Sequence, residues 1–352
     1  MFNEAKSGGA SLLPWNGRTQ PLRSKGRMRV RGKFQPGGAA PHPTPLRGAT
    51  FSHKWEKGAP LLFLLLNLAA LVLSFSPALA LSPPLPVVAS FSILGDFARE
   101  VGGSGVEVST IVGPNGDAHV YEPTPADGRK LARARLVFVN GLGFEGWIDR
   151  LIAASKTKAK IVTVSAGVTP RQGEEGLDPH AWQDVANARR YVENIRDALA
   201  AAAPERAALY QANATAYLAK LDALDREITT ALETIPPARR RIISTHDAFG
   251  YFSARYGLEF IAPQGVSTEA EASARDIARI IDAVKREKVG AVFLENVADP
   301  RLAQSIAAQT GAKVGGTLYS DALSDANGPA PNYIEMVRHN VKELTEALGT
   351  GR

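Results

Sequence analysis

The chain has 352 residues, room for two domains of ordinary size, and its 45% hydrophobic and 22% charged composition is that of a globular protein. It contains no cysteine, which excludes structural disulfides, thiolate metal sites, cysteine nucleophiles and lipidation of an N-terminal cysteine. The formal charge of +6 invites a nucleic-acid reading, but residues 1–80 hold 11 Lys/Arg against 2 Asp/Glu, whereas residues 81–352 hold 30 against 33. The leader's +9 thus masks a net of −3 in the rest, the basic character is assigned to the leader, and no nucleic-acid partner is implied.

Residues 1–58 are rich in Gly, Pro and Arg, show no helical or strand period, and are expected to be disordered. Residues 61–73 are almost wholly apolar, preceded by Lys54 and Lys57 and followed by Ala78-Leu79-Ala80. A basic flank, a short apolar core and a small-residue site describe a secretory signal peptide, cleaved after Ala80. A membrane anchor needs about 20 apolar residues, and Ser74, Ser76 and Pro77 end this run sooner. Residues 81–352 are therefore expected to be an exported, monomeric protein diffusing in a periplasm.

Strands and helices alternate from there on, which implies an α/β fold with mainly parallel sheets. Strands are predicted at 87–91, 106–112, 136–139 and 161–164. The turn Gly113-Pro114-Asn115-Gly116 ends the second of them, and Thr124-Pro125-Ala126-Asp127 caps a helix. A further helix from about Asn187 to Ala203 completes a first lobe, 81–203. Between Pro204 and Pro236, Tyr210, Ala214, Tyr217, Leu221, Leu224, Ile228, Ala231 and Ile235 recur in steps of three and four. That is one face of a helix of about 31 residues, roughly 45 Å long, read as a rigid strut over 204–236. The second lobe, 237–352, repeats the alternation, with strands at 241–245, 258–262 and 291–294. Its helices follow Ser273 and Asp299 and occupy 331–348, and Gly315-Gly316 reads as a turn.

Four histidines lie beyond the leader: His119, His180, His246 and His339. The first three are placed on loops or strand ends after predicted parallel strands, where ligands collect in open α/β sheets. Asp321, beyond Gly315-Gly316, offers a carboxylate in the same kind of position. Each histidine by itself reads more readily as a hydrogen-bonded loop residue; three at equivalent strand ends, with one carboxylate, suit a tetrahedral Zn²⁺ site. His339 lies opposite the apolar face of the last helix and is read as a solvated surface residue. Glu295 either orients a ligand histidine from behind or pairs structurally, Asp247 sits beside His246 or caps the next helix, and Trp147 and Trp182 read as core or interlobe packing.

Several strings resemble the zinc/manganese receptor family of ABC importers. They are Gly113-Pro114-Asn115-Gly116-Asp117-Ala118-His119-Val120-Tyr121-Glu122-Pro123, Asn140-Gly141-Leu142-Gly143-Phe144-Glu145-Gly146-Trp147, Leu177-Asp178-Pro179-His180-Ala181-Trp182, Thr245-His246-Asp247-Ala248-Phe249-Gly250-Tyr251-Phe252 and Gly265-Val266-Ser267-Thr268-Glu269-Ala270-Glu271. The resemblance spans about 87–348 and implies two α/β lobes joined by one long helix, with the metal in the cleft between them. It implies His119, His180, His246 and Asp321 as the metal ligands, and an ABC permease at the inner membrane as partner, with or without a periplasmic protein that loads the metal. Manganese-selective members of the family carry Glu where this chain has His246, so the resemblance favours Zn²⁺ over Mn²⁺. The His-rich loop of many zinc members is absent: the segment 173–178 is short and acidic.

The expected function is thus zinc capture and delivery to a permease, with the same role for Mn²⁺ or Fe²⁺ as the alternative. A His₃ metallohydrolase is a different class, but catalytic zinc keeps an open position that Asp321 would fill. Adhesion, a role ascribed to some members of the family, would need a surface patch that one sequence does not reveal.

Overall fold

The computed structural model describes residues 83–349 apart from 174, 175, 288 and 290. The leader, its apolar run at 61–73 and the cleavage after Ala80 lie outside the described residues, as do Glu174 and Glu175 of the acidic loop. Among the described residues no helix is long and apolar enough to cross a membrane.

The first half builds one parallel sheet. Strand β1 (Leu85–Phe91) leads through α1 (Ser92–Gly102) to β2 (Val106–Val112), then through α2 (Pro125–Arg133) to β3 (Leu136–Val139) and through α3 (Ile148–Ser155) to β4 (Lys160–Thr163). Their order is β2-β1-β3-β4, with Val88 paired to Ser109 on one side and Val137 on the other. Helix α2 starts at a reciprocal capping box: Thr124 N donates to Asp127 Oδ2 at 3.0 Å, and Pro125 occupies the first turn, where its missing N–H costs nothing.

A short antiparallel hairpin, β5 (Arg171–Gly173) with β6 (Gly176–Asp178), comes next, followed by α4 (Val185–Ala202) and the long α5 (Ala207–Glu233). At 27 residues α5 is roughly 40 Å long. The predicted strut is shorter because Pro204–Arg206 forms a separate 3₁₀ turn before it. Its buried face is Tyr210, Ala214, Tyr217, Leu221, Leu224, Ile228 and Leu232, with Leu232 in place of the predicted Ala231. That face packs on α1 and α4.

The second sheet takes β7 (Arg241–Ile243), α6 (Gly250–Tyr256), β8 (Glu259–Ile261), α7 (Ala274–Glu287), β9 (Ala291–Glu295), α8 (Pro300–Thr310), β10 (Lys313–Leu318) and α9 (Tyr333–Leu348). It is again parallel, in the order β10-β9-β7-β8. Both faces are buried, as for a doubly covered parallel sheet. Ile242 and Phe293 join the main core with Leu224, Val337 and Leu344, while their neighbours Ile243 and Val292 turn to a second cluster with Ile280, Val284 and Ile306. Helix α5 also packs on α9, and Asp225 pairs with Arg255 while Glu227 pairs with Arg338 at 3.0 Å. One stiff helix thus touches both sheet halves.

Gly315-Gly316, read as a turn, lies inside β10, where the pairing with β9 shifts register between Val314 and Thr317. A Cβ on Gly315 would fall 2.4 Å from the Phe293 ring. Glycine here marks a bulge with an aromatic ring lying close on the backbone, and the lack of a β-branched run hid the strand.

Candidate metal centre

The His119 loop follows the C-terminal end of β2. His119 N donates to Asp117 Oδ1 at 2.9 Å, and the Trp147 indole donates to Ala118 O at 2.7 Å, so both polar groups of the Ala118–His119 peptide are held. The string around Phe144 explains itself here. Gly141 and Gly143 have φ of 82° and 83°, which glycine adopts without strain, and they curl the loop back over Glu145. The buried Glu145 carboxylate accepts from Ser90 Oγ, Asn140 N and Gly141 N. Phe144 is thereby set with its ring centroid 4.6 Å from that of His119 and 4.9 Å from that of Trp182. Sequence reasoning missed Phe144 and Glu145; three glycines around an aromatic–acid pair were the available signal.

His180 does not follow a strand of the four-stranded sheet, as expected, but β6 of the hairpin. Asp178 at the end of β6 turns back on it: Oδ1 accepts from His180 N at 3.0 Å and lies 2.9 Å from Nδ1, while Oδ2 accepts from Arg171 at 3.3 Å. His246 follows β7. Glu295, the last residue of the adjacent β9, accepts from Thr245 N at 2.7 Å and His246 N at 2.9 Å through Oε1, and its Oε2 lies 2.7 Å from His246 Nδ1. That places Glu295 behind His246, the arrangement that one of its two readings requires. Asp247 does not cap the helix that follows, whose N-cap is Phe249.

Asp321 follows β10 in sequence yet is held by the first lobe. Trp182 Nε1 and Gln183 Nε2 donate to Ser320 O at 3.0 and 2.7 Å, Leu323 N donates to Ser92 Oγ at 3.0 Å, and Asn115 N donates to Leu323 O at 2.8 Å. Trp182 is thus interlobe packing of a specific kind, fixing the carbonyl next to the carboxylate. His339 is not a solvated surface residue: it is half-buried, its Nε2–H donates to Thr317 O at 2.9 Å, and its ring meets Tyr319. Opposition to the apolar face did not mean solvent, because β10 covers that side.

The structure brings His119, His180, His246 and Asp321 together between the lobes, with one donor atom from each within 4.8 Å of all the others. His180, His246 and Asp321 are fully buried, and the His119 side chain is 4% exposed. His119 Nε2 lies 3.3 Å from His180 Nε2 and 3.2 Å from Asp321 Oδ2; His180 Nε2 is 3.5 Å from Asp321 Oδ1, and His246 Nε2 is 3.2 Å from Asp321 Oδ2. Four ligands at 2.0–2.2 Å from a central tetrahedral ion stand about 3.3–3.6 Å apart. Four contacts of the cluster, at 3.2–3.5 Å, are close to that edge length, and His246 stands within 4.8 Å of His119 and His180. His246 Nε2 and both Asp321 oxygens are buried and hydrogen-bonded to nothing, an expensive arrangement that a cation at the centre would relieve.

Charge follows the same geometry. Burial alone would lower the His180 pKa, but the Asp321 and Asp178 carboxylates outweigh it and push it up to about 9. For His246, too, burial is outweighed, by Glu295 and Asp321, and its pKa stands well above the usual imidazole value. Burial prevails at His119, which is lowered. Burial would raise Asp321, yet His180 and His246 hold it well below the usual carboxylate range. Asp321, Asp178 and Glu295, set against Arg171, leave a formal deficit that suits a dication once the imidazoles are neutral. Truncating Glu295 to Ala should weaken cation binding about 10–100-fold, the usual cost of losing a carboxylate behind a ligand histidine. Competition titration against a chelator checks this, and an unchanged affinity would show Glu295 to be only structural.

The fold and site define a class: a two-lobed α/β binding protein with a divalent-metal site of three histidines and one aspartate in its cleft. The profile of the ZnuA family, described as "Zinc-uptake complex component A periplasmic", matches residues 87–347, and the chain belongs to this family of extracytoplasmic metal-binding receptors of ABC importers, which are substrate-binding proteins and not enzymes. It is 36% identical to the manganese-binding lipoprotein MntA of Halalkalibacterium halodurans over 75% of this chain and 88% of that protein. It is 34% identical to the iron-binding protein YfeA of Yersinia pestis, over 75% and 86%. Among solved structures it resembles the periplasmic zinc-binding protein TroA of Treponema pallidum, with a TM-score of 0.73 and 30% identity over 76% of this chain and all of that one. The Mn-bound periplasmic metal-binding protein of Candidatus Liberibacter asiaticus matches with a TM-score of 0.69 and 31% identity, over 74% and 98%.

Proposed function

We propose that this receptor captures Zn²⁺ through His119, His180, His246 and Asp321 and delivers it to an ABC permease at the inner membrane. The observation that carries the reading is the convergence of three imidazole nitrogens and one carboxylate within 4.8 Å, four of their contacts, at 3.2–3.5 Å, being close to the edge length of a zinc tetrahedron. Three nitrogens against one carboxylate favour a borderline ion over harder ones, for which oxygen donors are the better match. The second reading, Mn²⁺ or Fe²⁺, has a specific support: relatives at 36% and 34% identity are named for manganese and iron. After removal of a leader ending at Ala80, the receptor works as a freely diffusing monomer in the periplasm, loaded directly or by another periplasmic protein. Metal analysis of the exported protein, with competition titrations of Zn²⁺, Mn²⁺ and Fe²⁺, decides among the cations; a preference for Mn²⁺ at equal free concentration would overturn the zinc reading.

Binding must displace protons. His180 and His246 hold theirs above neutral pH in the cation-free protein, whereas a ligating imidazole must be neutral. Zinc affinity should therefore rise from pH 5 through pH 7.5 and on towards pH 9, with more than one proton released per cation. Calorimetry in buffers of different ionisation enthalpy measures the release. Equal affinities at pH 5 and 7.5 would exclude a site built on histidine.

A further inference from the structure

The net of −3 over residues 81–352 conceals a second basic region besides the leader. Residues 128–160 hold eight Lys/Arg and two Asp/Glu, a local net of +6, and one of those acids is the buried Glu145. Lys130 is paired with Asp127 at 2.9 Å. Among the described residues the other seven are exposed and form no ion pair. Elsewhere bases are commonly matched, as in Arg196–Asp197, Arg241–Glu259 and Arg338–Glu227, at 2.7–3.0 Å.

Five of the seven share one edge of the first sheet. Arg133 ends α2, Arg135 precedes β3, and Lys156, Lys158 and Lys160 run from the end of α3 into β4. Thr157 Oγ1 donates to Leu131 O at 2.5 Å, and Lys160 N donates to Arg135 O at 3.1 Å, which ties the two turns side by side. Arg129 and Arg150 extend the patch along α2 and α3, where both line a groove of about 580 Å³. This edge is the N-terminal end of the strands, opposite the end that carries the His119 loop. Strand β1 also begins there, since Arg135 N donates to Pro86 O at 2.9 Å.

We propose that this edge of the first lobe is a docking surface for an anionic lipid bilayer. Among the described residues the exposed large hydrophobics are Val120, Leu177, Leu209 and Val314, none of them in 128–160. A stable protein partner would want a buried apolar or aromatic anchor; a layer of phosphate headgroups needs only the charge. The contact is peripheral and reversible. It raises the share of an otherwise freely diffusing receptor at the membrane where its permease resides, and it leaves the interlobe cleft at the far end of the strands, turned away from the bilayer. The sequence has no cysteine for a lipid anchor, so charge supplies the hold.

The test is co-sedimentation of the exported protein, as the cell processes it, with vesicles of phosphatidylcholine alone or mixed with phosphatidylglycerol. Partitioning is expected only with phosphatidylglycerol and should fall with added salt. At roughly fivefold per cation near the surface, the triple variant Lys156→Gln, Lys158→Gln, Lys160→Gln should lose about 100-fold. Lys285→Gln, Lys313→Gln, Lys342→Gln removes the same charge from exposed positions elsewhere and should retain binding. Unchanged zinc affinity and circular dichroism in both variants establish that the fold is intact. Equal binding to neutral vesicles, or an equal loss in the second triple variant, would each overturn the proposal.

Discussion

Asp321→Asn is expected to weaken zinc binding by at least about 100-fold, more than the loss of a carboxylate behind a ligand histidine usually costs. Asp321 is the one anionic donor of the four, and each imidazole Nε2 lies 3.2–3.5 Å from one of its oxygens. Asparagine keeps the shape but offers one neutral oxygen and an NH₂ that would point donor to donor at a ring nitrogen or the cation. The fold should survive, because the segment is held through Ser320 O and Leu323 N rather than through the Asp321 side chain. A second consequence separates this from general damage. Asp321 is a main reason that His180 and His246 keep their protons, so its loss should lower both imidazole pKa values and flatten the pH dependence of whatever affinity remains. Competition titration at pH 6 and pH 8 reads both effects; full affinity with the wild-type pH slope would remove Asp321 from the site.

His246→Glu should shift the ratio of Mn²⁺ to Zn²⁺ affinity by at least about tenfold toward manganese. The replacement trades a borderline nitrogen donor for a hard oxygen, which raises the claim of the harder ion and lowers that of zinc. The neighbourhood makes the change costly without metal. Glu295 Oε2 lies 2.7 Å from His246 Nδ1, so a glutamate there would face one buried carboxylate and stand beside another, Asp321. Two carboxylates so close cannot both be charged at ordinary cost, and one takes up a proton. The variant should thus melt earlier than wild type when cation-free and gain more from saturating Mn²⁺. Adding Glu295→Gln should restore the cation-free melting temperature. An unaltered Mn²⁺/Zn²⁺ ratio would show that His246 does not set the preference.

Much of the fold was legible because its signals are local. Val106–Val112 is rich in β-branched residues and Leu136–Val139 is a short apolar run, each bounded by turn residues, and the face from Tyr210 to Ile228 repeats at helical spacing over about five turns. Each needs only its own side chains to declare itself. Strand β10 did not, because Gly315 and Gly316 have no side chain to give a pattern and are explained only by Phe293 and Glu343, each more than twenty residues away. The hairpin at Arg171–Asp178 was missed for the same reason: its strands are three residues each, too short for a period to show. His339 was misread because helical periodicity tells which face is apolar and not what covers the opposite one.

The amino-acid sequence by itself determined the alternation of strands and helices, the long helix, the exclusion of thiolate from any metal site, and which three histidines and which aspartate stand at strand ends. Those follow from side-chain identity and from periods of two and 3.6 residues. Only the tertiary structure decided how the four donors relate to one another. It placed Asp178 and Glu295 behind two of the rings, Phe144 against a third, and Asp321 on the first lobe's side of the cleft although the chain reaches it from the second sheet. The reason is physical: a donor's orientation, proton and charge depend on what lies within a few ångströms of it. Trp182, which holds Ser320, is 138 residues away in sequence.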